Sequence, residues 1–373
     1  MVDTVRGRDD DADRVEGSVA AGFEPVRDAF ARVVGAQRGT GAAVAIWFDG
    51  RWVCDLWGGW ADAGRTRRWT ADSIVMPYSV TKAFAATCAL MLVDRGRLDL
   101  DAPVQTYWPE FATPATVRQV LSHQVGVIAL DAPAPTGLLL DWDGLCARLA
   151  VEEPRWASGT AIGECALFYG HLVGEIVRRV DGRSLGTFLR DELAGPHGLD
   201  LAIGLADDDL PRAVDLTGVA ALVDDLGGPD HPELLRKALL NPPGALDEAT
   251  VNGAAWRRAE IPAVNGHATA RGAAGLYAAL LQDRILTPGV RAEATSAQAT
   301  GIDRVMGGEP RSWGLGFGVA AGWFGMGGIG GSYAGACPDD GYAFAFLTGT
   351  MGGHDRADTV ENAFRDVIGL RPV

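Results

Sequence analysis

A chain of 373 residues holds one large or two medium domains, with ample length for a buried core. Hydrophobic residues at 47% and charged residues at 22% exclude a disordered or collagen-like chain. With 33 basic against 48 acidic residues the net charge is -15, which argues against a nucleic-acid or anionic-membrane partner, since both need clustered positive charge.

The chain begins with Arg6, Arg8 and Arg14 mixed among Asp9, Asp10 and Asp11, and lacks the apolar run of a signal peptide. Residues 1–20 are therefore expected to form a polar tail, and the protein to be cytoplasmic. Phe23, Val26, Phe30, Val33 and Val34 then recur at helical spacing. Ala42–Phe48 and Arg51–Trp57 read as strands flanking Asp49-Gly50, a dipeptide suited to a tight hairpin turn. From Ser79 to about Leu280 the signals are mainly helical, over Thr81–Arg95, Thr116–Ser122, Ala166–Val180 and Ala268–Leu281. Strand character returns in Trp313–Val319, Ser332–Ala336 and Ala343–Thr348, followed by a helix over Arg356–Ile368.

This order predicts an α/β fold with one sheet assembled from both chain ends, residues 21–75 and 281–373. Residues 76–280 are then a mostly helical domain inserted between them, and 227–232 and 241–244 are surface loops. The longest apolar runs, such as Phe84–Val93, stop short of the roughly 18 to 20 residues that span a bilayer. Cys54, Cys88, Cys146, Cys165 and Cys337 are odd in number and form no C-x-x-C pair, so reduced thiols are expected, with no metal site and no cofactor.

The sharpest signal is Ser79-Val80-Thr81-Lys82, which opens a predicted helix. Residues three apart share a helix face, so the Lys82 amine can reach the Ser79 hydroxyl. Serine is a weak nucleophile until its proton is removed. A desolvated lysine can remove it and an arginine cannot. The choice of residue is conspicuous here, because only Lys82 and Lys237 are lysines among the 33 basic residues. With nine serines in the chain, a serine three residues before either lysine arises by chance in roughly one sequence in twenty. The alternative for this motif is a capped helix with Lys82 turned to solvent.

Several further segments carry a resemblance. They are Asp55-Leu56-Trp57-Gly58-Gly59, Asp94-Arg95-Gly96-Arg97-Leu98-Asp99, Tyr107-Trp108-Pro109-Glu110-Phe111 and Leu121-Ser122-His123-Gln124, together with stretches 174–179 and 265–271. With the S-x-x-K motif, they resemble the class C beta-lactamase superfamily, and within it the family VIII carboxylesterases, from about Gly22 to Leu370. The resemblance implies the beta-lactamase/transpeptidase-like fold, a mainly antiparallel sheet flanked by helices, with the active site between sheet and helical domain. It also implies an acyl-enzyme on Ser79.

Two positions depart from the family pattern. Where relatives carry a tyrosine base in a segment like G-Y-H-A-L-T, this chain reads Gly163-Glu164-Cys165-Ala166-Leu167-Phe168. Glu164 thus stands in for the tyrosine as a proton carrier, or else pairs with Lys82 and holds it charged as a poorer base, or is simply an exposed loop glutamate. Where relatives carry K-T-G or H-G-G, this chain reads Met326-Gly327-Gly328. A thioether cannot neutralise a carboxylate, so the acyl substrate is expected to be small and mainly uncharged. The resemblance puts the backbone N–H groups of Ser79 and Ile329 in the oxyanion hole, and Met326, Gly327 and Gly328 in the substrate pocket, where tight strand packing is an equal explanation for the glycines. Trp142, Trp156, Trp313 and Trp323 are candidates for an apolar pocket lining, though tryptophans are more often core or rim residues. His171 and Tyr169 are alternative bases, and Cys165 an alternative nucleophile disfavoured by its acidic neighbour.

Three functions compete on this reading. One is an esterase or amidase; another is an acyltransferase of natural-product biosynthesis that passes the acyl group to an amine or alcohol acceptor. The third is a catalytically silent binding protein, against which the intact Ser79 and Lys82 weigh. The first two share their acylation step and differ in what keeps water from the intermediate.

Overall fold

The computed structural model describes residues 14–226 and 233–373. Most of the expected polar tail, and the expected loop at 227–232, lie outside the described residues. The chain opens with β1 (Val15–Val19), α1 (Glu24–Ala36) and the hairpin β2 (Ala42–Phe48) and β3 (Arg51–Gly58). Asp49 and Gly50 carry φ values of 47° and 80°, the left-handed pair required by a two-residue type I′ turn.

A mostly helical stretch follows, with α2 (Thr81–Asp94), α3 (Val117–Leu121), α4 (Trp142–Ala150), α5 (Tyr169–Asp181), α6 (Leu185–Phe188) and α7 (Gly195–His197). Past the short strand β4 (Leu201–Ile203) come α8 (Val219–Leu226), α9 (Glu233–Leu240), α10 (Glu248–Asn252) and α11 (Ala254–Arg258). Strand β5 (Gly266–Ala268) pairs antiparallel with β4 in a small second sheet. Helices α12 (Ala270–Leu281) and α13 (Pro288–Ala294) lead into six strands. These are β6 (Ala299–Gly301), β7 (Arg311–Trp313), β8 (Gly318–Ala320), β9 (Trp323–Gly327), β10 (Tyr333–Cys337) and β11 (Tyr342–Thr348), and α14 (Asp355–Val367) ends the fold.

Nine strands form one antiparallel sheet in the order β1-β3-β2-β11-β10-β9-β8-β7-β6, joining the two chain ends. Period-two alternation gives its central strands two apolar faces. Val44, Ile46, Phe344 and Phe346 turn to a core shared with α1 and α14. Ala43, Ala45, Ala343 and Ala345 turn the other way, where α12, itself rich in alanine, lies across the sheet. Small residues on both surfaces let helix and sheet approach closely.

Two boundaries differ from the sequence-based expectation. Residues 15–19, expected within the polar tail, form the edge strand β1, paired to β3 from Val15 opposite Gly58 to Val19 opposite Cys54. With only two apolar residues, both at its ends, Val-Glu-Gly-Ser-Val shows no alternation to read, and backbone pairing makes the strand. Helix α12, expected inside the inserted domain ending at 280, covers the main sheet, so the insertion closes at β5 instead. Helical periodicity identifies a helix without saying which layer it joins.

Helix α2 is the axis of the helical part. Twelve of its fourteen residues are buried, and it is apolar on every side, as befits a helix enclosed by others. Among the described residues no helix is long and apolar enough to cross a membrane.

On the opposite face of the sheet, Phe364 of α14 meets the rings of Phe23, Phe48 and Tyr342 at 5.9, 5.6 and 5.0 Å. Phe364→Ala is expected to lower stability by about 3–5 kcal/mol in urea unfolding. A loss below about 1 kcal/mol would show that α14 is dispensable for closing this core.

Candidate active site

Ser79 sits in the single 3-10 turn Tyr78–Val80 that leads into α2. The preceding residue, Tyr78, holds a φ of 46°, an unusual conformation for a bulky side chain. Its buried ring and a 3.0 Å hydrogen bond from its hydroxyl to the Ala245 carbonyl fix it there. The serine is thereby turned out of the helix start while keeping the positive end of the α2 dipole behind it.

One turn into α2, Lys82 is fully buried. Its Nζ donates to Ser79 Oγ at 2.6 Å and lies 3.0 Å from Glu164 Oε1, while Ser79 Oγ stands 3.3 Å from the same carboxylate oxygen. The three expected catalytic side chains therefore meet in one triangle, and the alternative of a solvent-facing Lys82 is excluded. An ammonium removed from water must be compensated locally, and Glu164, itself only 7% exposed, does this.

Glu164 is held from two sides, by Asp303 and by His123. The Glu164 N–H donates to both carboxylate oxygens of Asp303, at 3.1 and 2.9 Å. The buried Asp303 also receives the N–H groups of Val305 and Met306 and the Trp313 indole N–H. On the other side, Gly163 N–H donates to the His123 carbonyl and Cys165 N–H to His123 Nδ1. Burial first, and then the charge of Lys82, push the His123 imidazole down to about 3, so it is neutral and free to accept at Nδ1. Its φ of 59° is a second unusual backbone conformation at the site.

Ser79 and Glu164 open onto a cavity of about 430 Å³. Leu222 of α8, Leu235 and Leu239 of α9, and Leu246 and Val264 form much of its wall. Met326, Gly327, Gly328 and Ile329, at the end of β9, form another part. A Cβ on Gly328 would collide with the Pro77 carbonyl oxygen and approach Ser79 N to 3.4 Å, so only glycine lets the chain leaving β9 run this close to Ser79. A Cβ on Gly327 would lie 3.0 Å from His354 Nε2.

Trp142 and Trp156 do not line this cavity. The Trp142 indole donates to Glu175 and packs against the His171 ring at a tilt, and Trp156 lies behind Gly163 with its N–H on the Gln124 carbonyl. Both are structural because a large ring with a polar edge fills and satisfies an interior corner. Trp313 does line the cavity, while Trp323 stacks on Tyr333 elsewhere. His171 and Tyr169 are buried and neither lines the cavity, the latter donating its hydroxyl to the Leu121 carbonyl. The Cys165 thiol faces the Val127 carbonyl, and burial pushes it up to about 12, which removes it as a nucleophile. The sequence reading missed Asp303, Arg311 and His354, the last two of which line the cavity.

A family model described as Beta-lactamase matches residues 26–366. The "Esterase/beta-lactamase LipL" of Mycobacterium tuberculosis is 36% identical over 283 residues, which cover 72% of this chain and 64% of that protein. The match thus spans less than two thirds of that relative's length. Among solved structures, a family VIII carboxylesterase is 34% identical with a TM-score of 0.87, covering 95% of this chain and 100% of that one. A penicillin-binding protein homolog from Caulobacter crescentus, also 34% identical, has a TM-score of 0.85 over 95% of this chain and 100% of that one.

His171 offers a test of the buried histidines. Burial pushes it down to about 3, and neither of its ring nitrogens has a hydrogen-bond partner. The unfolded chain takes up a proton near pH 6.5 and the folded one does not, so stability falls as pH drops from about 6.5 towards 3. His171→Leu is expected to flatten that fall in urea titrations across the window. An unchanged slope would show that His171 is already charged when folded.

Proposed function

We propose that this chain, which belongs to the beta-lactamase family, is a serine hydrolase that cleaves esters or amides of small, uncharged acyl groups through an acyl-enzyme on Ser79. The observation that carries this reading is the Lys82–Ser79 contact of 2.6 Å, buried yet opening on a cavity with leucine walls. The likeness to a carboxylesterase supports ester cleavage.

In the proposed acylation, Ser79 Oγ attacks the carbonyl carbon while its proton passes to Lys82. Lys82 gives one of its own protons across 3.0 Å to Glu164, so the lysine ends as it began and the carboxylate becomes an acid. Glu164 then protonates the leaving group as the carbonyl re-forms. Water, activated by the same relay run backwards, releases the acyl group. We assign the oxyanion to the N–H groups of Ser79 and Ile329, a type of contact that lowers the barrier by about 3 kcal/mol per donor. Leu222, Leu235, Leu239 and Met326 suit an apolar acyl chain and offer nothing to a charged one.

A fluorophosphonate is expected to label Ser79, as read by peptide mass analysis, and Ser79→Ala to abolish labelling. Lys82→Arg and Glu164→Gln should each lower kcat on a short-chain activated ester by about a hundredfold or more while remaining folded. Turnover of either variant within threefold of the parent would refute the relay.

A further inference from the structure

The turn that carries Ile329 past Ser79 has little stiffness of its own. Residues 327–332 read Gly-Gly-Ile-Gly-Gly-Ser, and Gly330 and Gly331 hold φ values of 93° and 99°. A segment so rich in glycine has many conformations open to it and few side chains to choose among them. Two internal bonds close the turn, from Gly328 N–H to the Ser332 carbonyl at 2.7 Å and from Gly331 N–H to the Gly328 carbonyl at 3.1 Å. They give it a shape without tying its far end to anything else.

That tie comes from Arg356, in the first turn of α14. Its Nη2 donates to the Gly330 carbonyl at 2.8 Å, and the Gly352 N–H reaches the same oxygen at 3.0 Å. Nη1 donates to the Thr350 carbonyl at 2.9 Å and Nε to the Gly353 carbonyl at 3.3 Å. One planar fork thus joins the turn after β9 to the loop between β11 and α14, which the Met351 N–H fastens in its turn to the Thr217 carbonyl at 2.9 Å. A Cβ on Gly331 or Gly352 would come within 2.6 or 2.9 Å of Nη2, so these glycines keep a slot open for the guanidinium. Three carbonyls on two loops suit a rigid fork of donors and not a single ammonium.

The charge of Arg356 is otherwise unused. Its hydrogen bonds all go to neutral oxygens, and among the described residues no carboxylate forms an ion pair with it. A partly buried cation without a counter-charge costs stability, and this one is bound to the residue that follows Ile329. Its sign is the one that a developing oxyanion needs.

Resting on the proposed hydrolase reading, we infer that Arg356 is a positioning residue of the oxyanion hole, which holds the Gly328–Ser332 turn so that the Ile329 N–H meets the oxyanion formed at Ser79. Arg356 does not line the cavity, so it acts through the turn and not on the substrate.

The test counts active sites by fluorophosphonate labelling and expresses turnover per labelled site. Arg356→Met is expected to lower kcat on a short-chain activated ester by about tenfold or more, with KM within about twofold of the parent. A trifluoromethyl ketone carrying the same acyl chain, whose adduct on Ser79 bears the oxyanion, should bind more weakly by the same factor. Arg356→Lys, which keeps the charge but not the fork, should fall between, and is the variant to read if Arg356→Met does not fold. A merely structural part in α14 would lower the number of labelled sites or the urea midpoint while leaving kcat per site and inhibitor affinity unchanged, and that result overturns the inference. Hydrogen exchange separates the brace from the hydrolase reading. In Arg356→Met the amides of residues 327–333 should exchange about tenfold faster than in the parent, with those of α2 unaltered. If this is seen while the parent cleaves no ester, the brace stands and the hydrolase reading falls. Unaltered exchange at 327–333 removes the brace whatever the turnover.

Discussion

The structure around the cavity is organised by a single electrostatic requirement, the compensation of the Lys82 ammonium at the head of a helix that is otherwise apolar and enclosed. Such a charge is tolerated in an interior only with acceptors at close range. Ser79 Oγ and Glu164 Oε1 supply them at 2.6 and 3.0 Å. Glu164 comes from a non-helical segment distant in sequence and would not stay there unaided. Asp303 accepts its backbone N–H and His123 those of the residues on either side, and Asp303 in turn anchors the turn before β7. Much of what surrounds Ser79 can be traced back to keeping one lysine both buried and hydrogen-bonded.

A carboxylate in the third corner changes the character of the triangle relative to a phenol. Lysine with glutamate forms a neutral pair, and moving one proton between them alters no net charge, so the proposed relay can reset without importing an ion into the cavity. The arrangement also sets the two side chains in direct contact at 3.0 Å. It explains why the neighbouring groups are kept uncharged or fully saturated. His123 is neutral, and Asp303 accepts from three backbone N–H groups and one indole.

How much of this was legible in the sequence follows from the range of each signal. Ser79 and Lys82 were readable because three residues on a helix is a local geometry. The β2–β3 hairpin was readable because Asp-Gly dictates its own turn. Glu164 became visible only through resemblance to a family segment, since a lone glutamate in a loop carries no pattern. Asp303 lies 139 residues from the backbone it anchors, and Arg311 sits in a three-residue strand too short to show alternation. Trp142 and Trp156 illustrate the converse error. Their size suggested a pocket, but each has its indole N–H committed inside the helical part, which composition cannot reveal.

The edge strand β1 has a consequence for handling the protein. Its sequence, Val-Glu-Gly-Ser-Val, is a poor strand former, with glycine at its centre in a left-handed conformation (φ 99°) and a surface that is mostly polar. It nevertheless pairs with Cys54–Gly58 of β3, a strand with a buried apolar face and two tryptophans, Trp52 and Trp57. An unpaired β3 would be a long, sticky template for a second chain, whereas β1, kinked and polar, is a bad one. The residues that look most dispensable to anyone trimming the polar beginning of this chain are therefore its guard against edge-to-edge aggregation, and a truncation that starts at α1 would trade a cleaner boundary for a less soluble protein.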